Sequence, residues 1–360
     1  MSNRSLLEAF DCGRLSRRRL LQAVGAFALA PATAQAALAT EGPRRVWIGA
    51  PPMLPFEPTG WKTVLLDHLS CRVDNFEKEA AFYNALMNWA VRDANHGEAT
   101  LDVGDWGGII IRGGYRPSAS EVAAERARYE RRAAAARSKG IQLEPFVVPN
   151  AIFDRVCWGI EPWDARTVEA ALKSRGLNPV LDHRGRDFES FHVKDPDGFD
   201  VQLSNGNRNN RRATPARATR AVAGPFAHTD WKTVWLDHMS YQCSDYKRTV
   251  AFYQALLGWQ PQIDSGNSNQ VRIGDVGDTI IRNHYGGAQG TLIDHISFGI
   301  EPFNPQAVKA ALENRGLPAE VDTGGSEPIE TAPYKSYHTV TPSGFDLQIS
   351  NANSMNRGES

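Results

Sequence analysis

Cysteine is scarce in this chain of 360 residues, which contains only four. A fold stapled by disulfides needs a denser set, so the stability of this protein must come from hydrophobic cores. The composition supplies them, because 41% of the residues are hydrophobic and the length suits two ordinary domains. Three of the cysteines, Cys71, Cys157 and Cys243, lie within apolar strand patterns, and we interpret them as small core residues.

The sequence also lacks an excess of charge of either sign, with 40 basic and 41 acidic residues. A chain without a strong net field has no general attraction for nucleic acid or anionic lipid, and we expect neither as a partner. Arginines cluster between positions 208 and 220, but no aromatic side chains alternate with them there. That pattern favours an interdomain linker over a nucleic-acid interface.

A long hydrophobic run is missing as well. The apolar stretch near the N-terminus is short and interrupted by Pro31, so it cannot span a membrane as a stable helix. Arg17 and Arg18 precede this stretch, and Ala34-Gln35-Ala36 follows it. The arrangement resembles a twin-arginine secretion signal cleaved after Ala36, which implies export to the periplasm or beyond without a lasting membrane anchor. The alternative is a disordered basic arm.

The chain repeats itself. "WKTVLLDHLS" at 61–70 returns as "WKTVWLDHMS" at 231–240, and "AFYNALMNW" at 81–89 returns as "AFYQALLGW" at 251–259. "SFHVKDPDGFDVQLSN" at 190–205 is answered by "SYHTVTPSGFDLQIS" at 336–350. Such self-similarity identifies one domain that has been duplicated.

Each copy has the pattern strand, helix, three strands, and then the same five elements again. "LDHLSCRV" alternates like a half-buried strand, and "NFEKEAAFYNALMNW" has apolar residues at helical spacing. "TVEAALKSRGL" predicts a second helix with Gly176 as a left-handed cap, and "DPDG" and "TPSG" predict tight turns. The predicted fold class is therefore α+β, with four βαβββ modules.

The predicted domain boundaries follow the repeat. They are a signal peptide at 1–36, an N-terminal linker at 37–60, a first domain at 61–205, a linker at 206–230, a second domain at 231–351 and a tail at 352–360. Segment 116–140 of the first copy has no counterpart in the second and is predicted to be helical, with Ser120 as its N-cap. It is either a solvated insertion, a lid or a contact between two chains in a homodimer.

The module order, the "FY..LLGW"-like helices and the P-x-G turns together resemble the vicinal oxygen chelate superfamily. That superfamily includes glyoxalase I, extradiol dioxygenases and the bleomycin- and fosfomycin-resistance proteins. The resemblance covers roughly residues 61–205 and 231–351. It implies two tandem domains, in each of which a pair of modules curls into a cupped mixed sheet around a divalent metal ion.

The ligands implied by this resemblance fall on His238, His295 and Gln348 of the second copy. Gln348 departs from the family pattern, which has a glutamate there, and an amide oxygen can coordinate a metal but brings no charge. The family's optional fourth ligand falls near Ile280 and is absent. Strand alternation predicts that His238 faces away from Asp237 and Met239, and that Gln348 faces away from Leu347 and Ile349.

His338 lies in the strand beside Gln348, where extradiol dioxygenases carry a tyrosine near the metal. It is a candidate catalytic residue, either as a third nitrogen ligand or as a proton carrier titrating near neutrality; a purely structural role is the alternative. The first copy retains His68, Gln202 and His192 but has Arg155 where the second has His295. A guanidinium repels a cation, so that copy is expected to be structural or anion-binding, or else a modified active site.

The resemblance implies an exported, metal-dependent enzyme of the dioxygenase or glyoxalase type, acting on a small substrate through two adjacent oxygens. The ion that the resemblance implies in the second domain is Fe, Mn or Zn; alternatively no metal binds, and Gln202 and Gln348 only hydrogen-bond across a ligand-binding cup. The alternative is a non-catalytic protein of the bleomycin-resistance type that uses its cups to sequester a small molecule. Sequence alone leaves open whether the protein is an enzyme, because one fold hosts many chemistries.

Overall fold

The computed structural model describes residues 46–137, 146, 148, 150–183, 187–213, 223–284, 291–325 and 327–356. The expected signal peptide at 1–36 lies outside the described residues, as do 138–140 of the insertion and 214–222 of the linker. Within the described residues, no helix is both long and apolar enough to cross a membrane.

The described part of the first copy has eight strands and four helices. They are β1 (Lys62–Val73), α1 (Phe76–Met87), β2 (Ala90–Asn95), β3 (Glu98–Val103), β4 (Gly107–Arg112), α2 (Ala119–Arg137), β5 (Ala151–Glu161), α3 (Ala165–Ser174), β6 (Val180–His183), β7 (Glu189–Lys194), β8 (Asp200–Ser204) and α4 (Arg208–Ala213).

Within the described residues, the second copy repeats this order without α2 and without a helix corresponding to α4. Its elements are β9 (Lys232–Cys243), α5 (Tyr246–Leu257), β10 (Gln260–Asp264), β11 (Ser268–Ile273), β12 (Gly277–Asn283), β13 (Leu292–Glu301), α6 (Pro305–Glu313), β14 (Glu320–Asp322), β15 (Ser336–Val340) and β16 (Asp346–Ser350).

Each copy forms one mixed sheet of eight strands. The order is β2-β3-β4-β1-β5-β8-β7-β6 in the first and β10-β11-β12-β9-β13-β16-β15-β14 in the second. The first strands of the two modules, β1 and β5 or β9 and β13, are antiparallel neighbours at the centre, and each also pairs in parallel with the last strand of its own module. This confirms the predicted α+β class with two βαβββ modules per copy.

The helices begin and end at the residues that their sequences favour. Asn75 and Asp245 cap the N-termini of α1 and α5, accepting hydrogen bonds from backbone N–H groups in the first turn. Gly258 ends α5 with φ of 68°, and a Cβ there would lie 2.7 Å from the carbonyl oxygen of Trp61. The predicted left-handed glycine after α3 is confirmed, because Gly176 has φ of 74°.

The predicted turns are also present. Gly198 N–H donates to the Asp195 carbonyl at 3.0 Å, and Gly344 N–H donates to the Thr341 carbonyl at 2.9 Å. Both glycines have positive φ, which suits the residue that leads out of such a turn into β8 or β16.

The insertion forms the helix α2, as predicted, but its N-cap is not Ser120. Ser118 Oγ accepts from Glu121 N–H at 3.2 Å, and Glu121 Oε2 accepts from Ser118 N–H at 2.7 Å. This reciprocal pair is a capping box, which places Ser118 at the N-cap and Ser120 within the first turn. The prediction was wrong because serine alone marks a cap poorly, and the glutamate three residues later decides which serine is used.

The two copies share one hydrophobic core. Trp89 of the first copy donates from Nε1 to Thr233 Oγ1 of the second at 2.8 Å, and Trp259 donates to Thr63 Oγ1 at 2.9 Å. Both indoles are almost fully buried, and each packs edge-on against an aromatic ring of the other copy. The repeated tryptophan after each long helix therefore joins the copies with related contacts.

Within the described residues, Cys71, Cys157 and Cys243 are buried and form no disulfide, as expected.

Candidate functional site

A β-bulge shapes the inner face of the second sheet. His238 lies opposite Ser297 and Leu236 lies opposite Phe298, so Asp237 is an extra residue in β9. A bulge can turn consecutive side chains to one side. The carboxylate of Asp237 accepts hydrogen bonds from Ser297 Oγ at 2.8 Å and from the hydroxyl of Tyr334 at 2.7 Å. The expectation that Asp237 faces away from the site is therefore wrong, because strict alternation fails at the bulge.

The structure brings the two predicted histidine ligands together. The Nε2 atoms of His238 and His295 are 3.0 Å apart, and the two rings meet edge to face. The strands β9 and β13 are direct neighbours, so side chains from the two modules converge over the centre of the sheet. Two imidazole nitrogens bound at a right angle to one ion, each at about 2.1 Å, would be roughly 3.0 Å apart.

Both imidazoles are neutral over the physiological pH range. Burial lowers the pKa of His238 to about 4, and it lowers the pKa of His295 to about 4 as well. Only a neutral imidazole has a lone pair to offer a metal ion. Carboxylates lie behind both rings, since Asp237 Oδ1 is 3.5 Å from His238 Nδ1 and Asp294 Oδ1 is 3.6 Å from His295 Nδ1. Such carboxylates typically orient ligating histidines.

Gln348 is fully buried in β16, in register with Ser297, which in turn faces His238. Its neighbours Leu347 and Ile349 lie in the hydrophobic core, which confirms the predicted alternation. Its amide nitrogen lies 2.7 Å from Ser336 Oγ, 3.1 Å from the Tyr334 hydroxyl and 3.3 Å from Asp322 Oδ2.

These contacts account for the glutamine. The amide Nε2 of Gln348 donates to acceptors that include the carboxylate of Asp322. A glutamate at this position would place a negatively charged oxygen next to that carboxylate, and the two would repel each other. Among the described residues, Gln348 Oε1 has no hydrogen-bond partner although it is buried. A buried polar atom without a partner is costly unless something else binds it, and a metal ion would satisfy this oxygen.

The donor set therefore fits a divalent metal ion. Two neutral imidazoles and one amide oxygen would hold it, and a catalytic site also requires open positions for substrate. Among the described residues, three His, Cys, Asp or Glu donor atoms lie within 4.8 Å of one another only at Asp67, His68 and Cys157, in the first copy. The second-copy site thus depends on its amide as the third donor.

His338 lies between two carboxylates. Its Nδ1 is 2.8 Å from Asp346 Oδ1 and its Nε2 is 3.5 Å from Asp322 Oδ2, while its ring centre is 5.3 Å from that of His295. Burial opposes protonation, but the hydrogen bonds and charges of the two aspartates outweigh it and raise the pKa of His338 to about 10. Without a metal ion beside it, His338 therefore favours the protonated form, which can donate a proton but cannot bind a metal. Its role as a third nitrogen ligand or as a proton carrier stays a prediction.

We expect His338→Gln to flatten the alkaline part of the stability profile. The folded-state pKa of about 10 lies above the unfolded value of about 6.5, so the charge stabilises the fold fully below about pH 6.5. That contribution is lost as the pH rises through about 10. The effect is about 1 kcal/mol, because water partly screens Asp322. Urea unfolding in EDTA measures it, and an equal stability difference between the two proteins at all pH values would contradict it.

Sequence reasoning missed the aspartates and the tyrosine around the site. Asp322 comes from the edge strand β14 and Tyr334 from the loop before β15. The sequence does contain a signal for the bulge residue Asp237. An Asp-His pair lies in the first strand of three of the four modules, at 67–68, 237–238 and 294–295. In the fourth, Asp154 precedes Arg155.

The first copy places its residues in matching positions. His68 faces Cys157 across β1 and β5, Cys157 faces Gln202, and Gln202 faces His192. His192 lies between Asp200 at 2.9 Å and Asp182 at 3.3 Å, as His338 lies between its aspartates. Arg155 occupies the register position of His295, opposite a serine and an aspartate.

The fold is similar to that of several solved structures. A variant of homoprotocatechuate 2,3-dioxygenase from Brevibacterium fuscum matches with a TM-score of 0.53 and 14% identity, over 84% of this chain and 74% of that one. The 2,3-dioxygenase LapB from Pseudomonas sp. KL28 matches with a TM-score of 0.51 and 17% identity, over 80% of this chain and 92% of that one.

A Mn(II)-bound glyoxalase from Novosphingobium aromaticivorans also matches, with a TM-score of 0.50 and 13% identity, over 81% of this chain and 82% of that one. No protein-family model matches the sequence, and no curated protein does so either. Identities this low establish a shared fold and leave the activity to be argued from the site.

Proposed function

Because the chain has the tandem vicinal-oxygen-chelate fold, we propose that its second copy is a metal-dependent enzyme site for a small substrate with two adjacent oxygens. His238, His295 and Gln348 would hold the ion. The observation that carries the proposal is the convergence of two neutral imidazole nitrogens 3.0 Å apart, together with a buried amide oxygen that lacks a protein partner among the described residues. A divalent ion, Fe, Mn or Zn, would supply Lewis-acid chemistry and, if redox-active, oxygen chemistry.

The protein's own groups prepare the site for an anionic substrate. The three proposed ligands carry no charge, so they leave the positive charge of a bound ion undiminished. His338 lies on the same row of the sheet, directly opposite Gln348, and its protonated ring would be paired with the carboxylates of Asp322 and Asp346. The Nε2 atom of His338 lies 3.5 Å from Asp322 Oδ2, and the proton on it is one that the site could offer to a deprotonated substrate oxygen. His338 thus binds and orients substrate while it remains protonated.

The dioxygenase and glyoxalase activities named for the similar structures define the first assays. Oxygen uptake with a panel of catechols tests ring cleavage, and isomerisation of thiol–aldehyde adducts tests the glyoxalase type. Turnover that requires added Fe²⁺ or Mn²⁺ supports the proposal. If the metal-loaded protein binds these compounds without converting any of them, a sequestering function replaces the proposed enzymatic one. The uncharged Gln348 favours a sequestering function, because an amide oxygen binds a metal ion more weakly than a carboxylate does.

We also propose that the chain is exported by the twin-arginine pathway, on the basis of Arg17 and Arg18 and the small residues that end at Ala36. The paired guanidinium groups are the feature that this pathway reads. Replacing both arginines with lysine is expected to retain the precursor in the cytoplasm, as measured by cell fractionation and immunoblotting. Unchanged periplasmic delivery of this double variant would refute the proposal.

A further inference from the structure

The buried aspartate of the first copy has different partners from its counterpart in the second. In the second copy, Asp237 receives hydrogen bonds from the hydroxyls of Ser297 and Tyr334. Cys157 occupies the position of Ser297, because each pairs with the histidine of the first strand and the glutamine of the last. Phe188 corresponds to Tyr334, since Phe188 lies two residues before Ser190 and Tyr334 lies two residues before Ser336. Both hydroxyl donors of the second copy are thus absent from these positions.

In place of the hydroxyl contacts, the first copy assembles three metal-ligating groups. Donor atoms of Asp67, His68 and Cys157 all lie within 4.8 Å of one another. Asp67 is the bulge residue of β1, so it and His68 reach the same side, and Asp67 Oδ1 is 2.8 Å from His68 Nδ1. All three side chains are buried.

The surrounding chain makes room for this arrangement. A Cβ on Gly206 would lie 2.2 Å from Asp67 Oδ2, so the carboxylate occupies the space that a side chain would need. Ala352 is the corresponding residue of the second copy. Its backbone carbonyl lies against Gly299, as the carbonyl of Gly206 lies against Gly159.

Gln202 offers a fourth donor. It lies beside Cys157 in the neighbouring strand and is fully buried. Its Nε2 donates to Ser190 Oγ at 2.7 Å, which fixes the amide, and its Oε1 has no hydrogen-bond partner among the described residues. Arg155, which repels cations, lies two residues from Cys157 along β5, opposite Asp200.

We propose that the first copy contains a Zn²⁺ site built from Asp67, His68 and Cys157, with Gln202 as the fourth ligand. A thiolate, an imidazole and a carboxylate are the ligands that zinc takes in proteins, at about 2.0 to 2.3 Å, and a closed tetrahedral set is typical of structural zinc. Binding releases the thiol proton of Cys157 to solvent. This site is chemically softer than the second-copy site, so the two copies select different metals.

Cobalt(II) is the probe, because tetrahedral Co²⁺ bound to a thiolate absorbs in the near ultraviolet and visible. Reduced, metal-stripped protein titrated with Co²⁺ should develop the thiolate band at one equivalent, and Zn²⁺ should remove it. Cys157→Ser combined with Phe188→Tyr installs the side chains that the second copy already carries, so the fold should tolerate them. This variant should lose the band and bind Zn²⁺ about a hundredfold or more weaker.

Two controls keep this test separate from the proposed enzyme site. Cys71→Ser, a change at another buried cysteine of the same sheet, should retain the band, and so should His295→Ala. Circular dichroism confirms that each variant is folded. A wild-type protein without the thiolate band, or a band that survives in the folded Cys157→Ser/Phe188→Tyr protein, would overturn the proposal. Loss of the band in His295→Ala would do so as well.

Discussion

His295→Ala is expected to abolish high-affinity Mn²⁺ binding and any turnover, while the protein remains folded. The substitution removes one of two imidazole nitrogens that lie 3.0 Å apart and leaves a single imidazole and an amide oxygen. Partners of metal ligands already contribute roughly 10–100-fold to affinity, so loss of a ligand should cost more than about a hundredfold. Isothermal calorimetry with Mn²⁺ on chelator-treated protein measures the change.

The matched control is Arg155→Ala, because Arg155 holds the same register position in the first copy. This variant should bind Mn²⁺ as the wild type does and retain turnover. Both variants are expected to keep the wild-type circular dichroism spectrum, since each substitution shortens a side chain and leaves the backbone pairing of its strand in place. Mn²⁺ affinity that is unchanged in His295→Ala, or equally reduced in Arg155→Ala, would show that the second copy does not hold the ion.

Gln348→Glu is expected to strengthen Mn²⁺ binding by about tenfold or more, equivalent to about 1.4 kcal/mol. The new carboxylate adds a negative ligand, and it also meets Asp322 at the place where the amide nitrogen now lies 3.3 Å from Oδ2. Two carboxylates this close repel each other, so the variant should be less stable than the wild type in EDTA. Mn²⁺ relieves the repulsion, and this adds to the gain in affinity.

Gln202→Glu is the corresponding change in the first copy, where the amide nitrogen donates to Ser190 instead of a carboxylate. Its Mn²⁺ affinity should change little, because Arg155 would pair with the new carboxylate and the thiolate site proposed for this copy favours Zn²⁺ over Mn²⁺. Calorimetry on both variants, together with urea unfolding in EDTA, separates the two copies. Equal behaviour of Gln348→Glu and Gln202→Glu would mean that the second copy holds no metal site and that the glutamines serve only the fold or a ligand. Activity need not rise in Gln348→Glu, since a more neutral site is a weaker Lewis acid.

The sequence repeat, together with the family resemblance, was sufficient to predict the fold and the meeting of the two histidines. Each lies in the first strand of a module, and these strands become antiparallel neighbours in this topology. Local patterns also predicted the α1 and α3 helices and the glycine turns, because caps and P-x-G turns depend on residues close in sequence.

The remainder of the site depends on contacts between distant residues. The bulge at Asp237 arises from the pairing of β9 with β13, which alternation within one strand cannot show. Asp322, in an edge strand, and Tyr334, in a loop, both accept hydrogen bonds from the amide nitrogen of Gln348. These partners explain why a glutamine stands where the family has a glutamate ligand. The pKa of His338 likewise depends on Asp322, which lies 16 residues away in sequence.

The identity of the ligands is the central claim, and pulsed electron paramagnetic resonance of the Mn²⁺-loaded protein tests it most directly. The nuclear modulation from nitrogen counts the imidazoles bound to the ion. The wild-type protein should show two, and His238→Ala should show no more than one, with Cys157→Ser/Phe188→Tyr matching the wild type. A spectrum without imidazole nitrogen, or one that is unchanged in His238→Ala, would contradict a metal site built on His238, His295 and Gln348.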